Sequence, residues 1–307
     1  MATVLAVLAD PILPVFAIMA LGYAMGLLGV TSQEDARRIN RFAMMIFLPV
    51  LIFGLLAEAP VERFALVPVL AYALVQVVIF AAGSWASRRL LGRDRAESFL
   101  LAFCGIFANN AFFTLPIAVF LYGAEDVLPI TEIIMLDSTV TFAGSIVALQ
   151  LIADGRASVP AVARAILRSP VVVAIVLGLA FALSGLSMPG PAATFIAFNG
   201  SAAAPMALFS LGIVLSATRF SADPAVLAFS AVKLVVFPGA VALALLAAGA
   251  VLGPMAEADP RFVLAAAGPS GTMAFSLALL YGVRTETIAQ IVIWTSVLSL
   301  VSLALLA

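Results

Sequence analysis

Apolar residues gather along this chain in runs of about 20, each set off by charged residues or by Gly/Pro clusters. A helix of that length crosses the roughly 30 Å hydrocarbon core of a bilayer. Ten segments are read this way, at about 11–29, 40–57, 64–88, 97–122, 127–152, 168–186, 191–217, 224–250, 260–281 and 286–307. The connections are short, the longest running from Val30 to Arg41 and from Ala153 to Arg168, so no soluble domain fits between segments. The first run begins close to Met1 with neither a basic leader nor a small-residue cleavage pattern, and it is read as a retained helix. The pattern predicts an all-α polytopic membrane protein with ten transmembrane helices.

Two segments depart from the pattern. Segment four is interrupted by Asn109 and Asn110, with Thr114 and Pro116 following, and it ends Leu121-Tyr122-Gly123. Segment nine is interrupted by Gly268-Pro269-Ser270-Gly271-Thr272 and ends Leu280-Tyr281-Gly282. In hydrocarbon every backbone amide and carbonyl needs a partner, so an unwound stretch survives only inside protein or beside a watery cavity. Pro116 removes one donor and frees the carbonyl near Phe112, while Gly268, Pro269 and Gly271 permit an opened backbone and Ser270 and Thr272 offer hydroxyls. If the breaks meet at mid-depth, two half-helix N-termini aim free amides at one spot, which suits a carboxylate. Pro14, Pro49, Pro68, Pro205 and Pro238 are read as ordinary kinks.

Composition and charge agree with the pattern and orient it. Hydrophobic residues make up 64% and charged residues 10%, with a mean hydropathy of +1.23; a soluble domain carries about a quarter charged residues. Odd-numbered connections hold Arg37, Arg38, Arg41, Arg88, Arg89, Arg93, Arg95, Arg156, Arg164, Arg168, Arg219 and Arg284, whereas even-numbered ones hold Arg63 and Arg261. By the positive-inside rule the odd connections are cytoplasmic and both termini lie outside, as expected for a bacterial inner membrane.

An ordered series of matches appears at an offset of about 156 residues. Pro14 meets Pro170, Gly22 meets Gly178, Pro49 meets Pro205, Arg63-Phe64 meets Arg219-Phe220 and Pro68 meets Pro224; after a three-residue slip the two Leu-Tyr-Gly endings coincide. Residues 1–152 and 165–307 thus read as two repeats of five segments. An odd number inverts their topology, giving a five-plus-five inverted repeat with broken, crossing helices at segments four and nine.

Two charges fall near mid-depth, Asp137 in segment five and Lys233 in segment eight. An isolated charge there costs about 2.5–3.5 kcal/mol on insertion scales. Mutual pairing is the expected remedy, with Gln76 as a polar partner in the same layer. The pair reads either as a structural salt bridge or as a coupling device in which Asp137 exchanges a proton or helps hold a cation, so coupling to H+ or Na+ stays open. Thr139, Thr141, Gln150, Gln290 and Thr295 read as helix-to-helix hydrogen bonds, and the lone Cys104 as a small packing residue. No histidine, metal cluster, paired carboxylates, GxSxG elbow or P-loop is present, so no enzymatic role, metal or other cofactor is expected and ATP-driven pumping is disfavoured.

The Asn-Asn and Leu-Pro of segment four, the run Phe47 to Phe53, the stretch Pro205 to Gly212 and the run Lys233 to Pro238 together resemble the auxin efflux carrier family. That family includes the plant PIN auxin carriers and bacterial permeases for malonate or malate, and is distantly similar in fold to bile acid sodium symporters. The resemblance spans essentially the whole chain. It implies a scaffold of segments one, two, six and seven beside a transport unit of segments three to five and eight to ten, with Asn109, Asn110, Pro116 and Pro269 at the crossover. The long central loop of the plant carriers is missing, and Gly268 stands where they have asparagine, which disfavours auxin. The resemblance and the residues together predict a secondary transporter of a small organic anion, a carboxylate, working by alternating access. A proton- or sodium-coupled symporter of a bile-acid-like or other amphipathic solute, and a channel or sensor on the same scaffold, are the alternatives. Expected partners are the solute and the lipid bilayer, with no nucleic acid, and the scaffold is where a homodimer contact is to be sought.

Overall fold

A computed structural model describes residues 17–58, 65–123, 126–155, 160, 167–217, 223–252 and 259–306. The readings that involve Pro14, Arg63, Phe64, Arg156, Arg164, Arg219 and Phe220 lie outside them. Among the described residues every regular element is a helix. In order these are α1 (Ala17–Leu27), α2 (Gln33–Ala57), α3 (Leu66–Leu90), α4 (Arg95–Ile106), α5 (Leu115–Tyr122), α6 (Leu128–Ala153), α7 (Pro170–Ser184), α8 (Gly190–Ser216), α9 (Pro224–Leu252), α10 (Pro260–Ala267), α11 (Met273–Leu280) and α12 (Glu286–Leu306). Five of them, α2, α3, α6, α8 and α9, are long and apolar enough to cross a membrane unaided. Segments four and nine do not qualify as single helices because segment four is divided into Arg95–Ile106 and a second piece in which the turn Asn110–Thr114 runs into α5, and segment nine into two pieces of 8 residues.

Short polar residues set the helix starts. Asp94, Ser169, Asp223 and Asp259 each accept an amide of the turn that follows, and the last three stand directly before a proline that needs no such partner. Helix α2 starts about seven residues before its apolar run, because Ser32 and Asp35 form a reciprocal capping box that carries the polar stretch Gln33–Phe42 into the helix.

Four helical stretches widen into π turns, which the sequence reading does not anticipate: Ala43–Phe47, Asn110–Thr114, Asp137–Phe142 and Val232–Val236. Three of them stand two residues before a proline, Pro49, Pro116 or Pro238. A proline ring crowds the carbonyl four residues back, and a widened turn removes that carbonyl from its path. The turn at Asp137 has no proline after it. There the Thr139 hydroxyl donates to the Met135 carbonyl (2.6 Å) and the Ser145 hydroxyl to the Thr141 carbonyl (2.6 Å), back-bonds of the kind that distort helices. Thr139 therefore bonds its own helix, not a neighbour.

Polar contacts gather at the two ends of the bundle. At one end Arg93 bridges Glu97 (3.0 Å) and Asp223 (2.6 Å), Arg284 meets the second oxygen of Glu97 (2.7 Å), and Thr287 donates to Asp223 (2.8 Å). At the other, Arg261 meets Asp259 (2.7 Å) and the Asp126 carbonyl (2.7 Å), while buried Glu132 accepts the Ala65 amide (2.8 Å). The connections ahead of α4, α9 and α12 thus share one end, and those ahead of α3, α6 and α10 share the opposite one. Two apolar clusters fill the interior, one around Phe103, Phe142 and Phe275, the other around Tyr72, Phe113, Phe237 and Phe262. Helices α1 and α8 touch backbone to backbone, since a side chain at Gly22 would overlap the Phe209 carbonyl and one at Gly212 the Met19 carbonyl.

Candidate functional site

The breaks in segments four and nine lie against each other where the two apolar clusters meet. Helix α4 ends at Ile106, and Phe107 continues in an extended conformation. Ala108 and Ser270 then form an isolated antiparallel bridge, in which the Asn109 amide donates to the Pro269 carbonyl (2.8 Å) and the Gly271 amide to the Phe107 carbonyl (2.9 Å). Each unwound stretch therefore satisfies the other, which answers the demand that hydrocarbon makes on opened backbone. The approach leaves no room for side chains: a Cβ at Gly271 would lie 2.6 Å from the Phe107 ring, and one at Gly268 would overlap the Thr114 hydroxyl.

The C-terminal ends of the half-helices are closed by side chains. Cys104, fully buried as expected of a packing residue, presents its carbonyl to the Ser270 hydroxyl (2.7 Å), and the Ser270 amide donates to Thr295 (3.1 Å). Gln76 on α3 donates to the Ile106 carbonyl (3.4 Å) at the end of α4. Lys233 on α9 donates to the Ala266 carbonyl (2.5 Å) at the end of α10, with its ammonium 5.0 Å from the centre of the Phe237 ring. A cation at a helix C-terminus meets the negative end of the dipole.

The expected ion pair between Asp137 and Lys233 is not what the structure shows. Among the described residues no ion pair joins them, although they stay within electrostatic reach. Each finds a different remedy for burial. Lys233 takes the carbonyl end of α10, and Asp137 takes amides: Gln76 donates to one carboxylate oxygen (2.7 Å) and Asn110 reaches the other (3.5 Å). Gln76 is in turn bonded by Thr141 (3.2 Å), so it joins Asp137 to the end of α4, as its place in the same layer suggested.

The N-terminal ends are left open. The first amides of a helix have no partner inside it, and those after Asn109 and after Gly271 border a cavity of about 60 Å³. On a scale where one water needs about 10–15 Å³, that holds roughly four to six water-sized groups. Asn109, Asn110, Gly271, Thr272 and Asp137 line it, together with Ser138 and the Phe107 and Phe142 rings. Ser270, Thr114 and Gly268 are buried behind the lining, Pro269 contributes its carbonyl to the bridge, and the side chain of Pro116 lies outside the described residues. The Asn110 Oδ1 and Thr114 hydroxyl, both buried, have no hydrogen-bond partner. Facing the crossover, Leu48, Leu51, Ile52 and Leu55 of α2 form an apolar wall. They recur at i, i+3, i+4 and i+7, one stripe of a helix, but the segment is apolar all round and the stripe does not stand out in the sequence. Among the described residues no group of three His, Cys, Asp or Glu side chains is placed to hold a metal ion.

Comparison with known proteins adds the family. The sequence profile described as "Membrane transport protein" matches residues 7–307. A Rhizobium meliloti (strain 1021) protein named "Putative malonate transporter" is 29% identical over 303 residues, covering 94% of this chain and 91% of the relative. An "Uncharacterized transporter" of Methanothermobacter thermautotrophicus (strain Delta H) is 30% identical over 306 residues, 96% of each chain. These relatives are transporters, not enzymes. Matched over nearly its whole length and built of bilayer-length apolar helices, the chain belongs to the membrane transport protein family, the auxin efflux carrier family that its motifs resemble, and is an integral membrane transporter.

Proposed function

We propose that the chain is a secondary transporter that carries a small carboxylate by alternating access, with the solute held in the crossover cavity. One observation carries this reading: two broken helices cross with their C-terminal ends capped and their N-terminal ends facing a cavity that Asn109, Asn110, Thr272 and Asp137 line opposite an apolar wall. Open N-termini favour an anion. The name of the Rhizobium relative makes malonate the first solute to test.

In this reading the ten segments form a five-plus-five inverted repeat, residues 1–152 and 165–307, with both termini outside a bacterial inner membrane. The caps support it. Gln76 and Lys233 fall one position apart at the repeat offset of about 156, and each reaches from the segment before a broken helix to the end of its first half. Connections alternating between the two ends support it as well. Helices α1, α2, α7 and α8 act as the scaffold, and the remaining helices move against the α2 wall. Because that wall is apolar, an amphipathic carboxylate is the second class to test.

The test is uptake into proteoliposomes of labelled malonate, malate, short monocarboxylates and indole-3-acetate. Saturable uptake of at least one is expected, and Asn110→Ala should lower it about 10- to 100-fold, the loss of one charge-assisted hydrogen bond. Unchanged uptake by folded Asn110→Ala protein would sink the assignment of the site.

A further inference from the structure

At the arginine-rich end, a depression of about 430 Å³ lies between the first turns of α2 and the end of α11. Its charged lining is Glu34, Arg37, Arg38 and Arg41. Arg38 is paired with Glu34 (3.3 Å), whereas Arg37 and Arg41 have no carboxylate partner among the described residues. These two are exposed and four residues apart, so both guanidiniums stand on one helix face. Asn40 lies in the same lining and is 1% exposed; its amide nitrogen donates to the Ser276 carbonyl (3.0 Å), and its Oδ1 has no partner. Below the charges the surface turns apolar, with Met45 and Leu280 in the lining and Phe42 and Ile46 exposed beside them.

A cationic rim over an apolar floor, at the start of a bilayer-length helix whose polar first turns give way to an apolar run, matches one kind of molecule. We infer that this depression is a binding site for an anionic phospholipid, its phosphate between Arg37 and Arg41 and its chains along Met45 and Leu280. Two unneutralised guanidiniums suit a phosphate, and basic recesses between helices on the cytoplasmic side suit acidic headgroups. A free phosphate or carboxylate would use the same guanidiniums but leave the apolar floor uncovered.

The test titrates the purified full chain in detergent with phosphatidylglycerol or chain-matched phosphatidylcholine, counting bound lipid by native mass spectrometry. Phosphatidylglycerol should bind preferentially, and Arg37→Gln/Arg41→Gln should weaken it roughly 10- to 30-fold. The control variant Arg88→Gln/Arg89→Gln, at the end of α3 and outside the depression, should keep the preference. Each single substitution should give a partial loss, which keeps the test decisive if the double variant folds poorly. No preference in the parent protein, an equal loss in the control variant, or displacement of the lipid by millimolar inorganic phosphate would overturn the proposal.

Discussion

Ser270 and Thr272 stand two residues apart in one break, yet the structure gives them different work, and replacing each by alanine separates the two roles. Ser270 faces away from the cavity. Its hydroxyl occupies the Cys104 carbonyl, which the end of α4 leaves without a helical partner, and its amide holds Thr295. Ser270→Ala strands a fully buried carbonyl, a loss of about 1–3 kcal/mol. At about 2–4 °C per kcal/mol for chains of roughly this size, the unfolding temperature should fall by about 2–12 °C. Thr272 lines the cavity and donates no hydrogen bond to the bridge. Thr272→Ala should leave the unfolding temperature within a degree or two while altering the concentration dependence of uptake. Thermal unfolding in detergent, followed by intrinsic fluorescence, reads the first effect, and proteoliposome uptake reads the second. If Ser270→Ala unfolds at the parent temperature but loses solute affinity, the serine faces the solute and the crossover is assembled differently.

Two further substitutions follow from the caps. Lys233→Gln keeps a donor for the Ala266 carbonyl and should retain most of the stability that Lys233→Met loses; if Asp137→Asn rescued Lys233→Met, pairing with Asp137 would be the role of the lysine instead. At the arginine-rich end, burial alone would raise the Asp223 carboxyl, but the Ala225 amide, the Thr287 hydroxyl and Arg93 together hold it below its ordinary value. A depressed carboxylate stabilises the fold above its unfolded-state pKa, about 3.9, and that contribution is lost as pH falls through the folded value. Asp223→Asn should therefore lower the unfolding temperature near pH 7, and its curve should converge with the parent's below about pH 4; parallel curves would exclude the linkage.

The all-helical, apolar character of the chain and the interruptions near Asn109 and Pro269 are legible in the sequence because they depend on local chemistry. Charges and Gly/Pro clusters end apolar runs, and the polar pair Asn109-Asn110 and the Gly/Pro-rich stretch Gly268–Thr272 stand where the helices are interrupted. What the sequence hides is rotation about the helix axis. In an amphipathic soluble helix a polar face reveals which side points inward, but α2 is apolar on every side at Leu48–Ala57, so its wall stripe carries no contrast. The same gap hides which way Ser270 points. For Lys233 the sequence shows a charge needing a partner, and the nearest opposite charge is the obvious candidate; the α10 carbonyl end becomes visible only once two segments are placed side by side. The π turns do leave a trace, since Pro49, Pro116 and Pro238 each follow one by two residues.

The charges around the crossover also bear on what must accompany the solute. Each helix N-terminus contributes about +0.5 of a charge and each C-terminus about −0.5, so the four half-helix ends cancel. If Lys233 and Asp137 are both ionised their charges cancel as well, and the empty site then carries no net charge. A monocarboxylate entering the cavity adds one uncompensated negative charge beside the Asp137 carboxylate. Taking up a proton there restores neutrality, and the unpartnered Asn110 Oδ1 nearby can accept a hydrogen bond from a proton so delivered. A dianion such as malonate needs a second proton, or enters already singly protonated. Uptake should therefore fall as pH rises, more steeply for malonate than for a monocarboxylate. Asp137→Asn keeps the hydrogen bonds to Gln76 and Asn110 within reach but removes the negative charge, leaving Lys233 to balance a monocarboxylate without a proton, so the variant should bind the monocarboxylate with little dependence on pH. Isothermal titration at pH 5.5 and 8 measures this directly. A parent protein whose affinity does not change between those values, or an Asp137→Asn protein that keeps the full dependence, would remove the proton from the mechanism and leave a uniporter or a cation-coupled carrier.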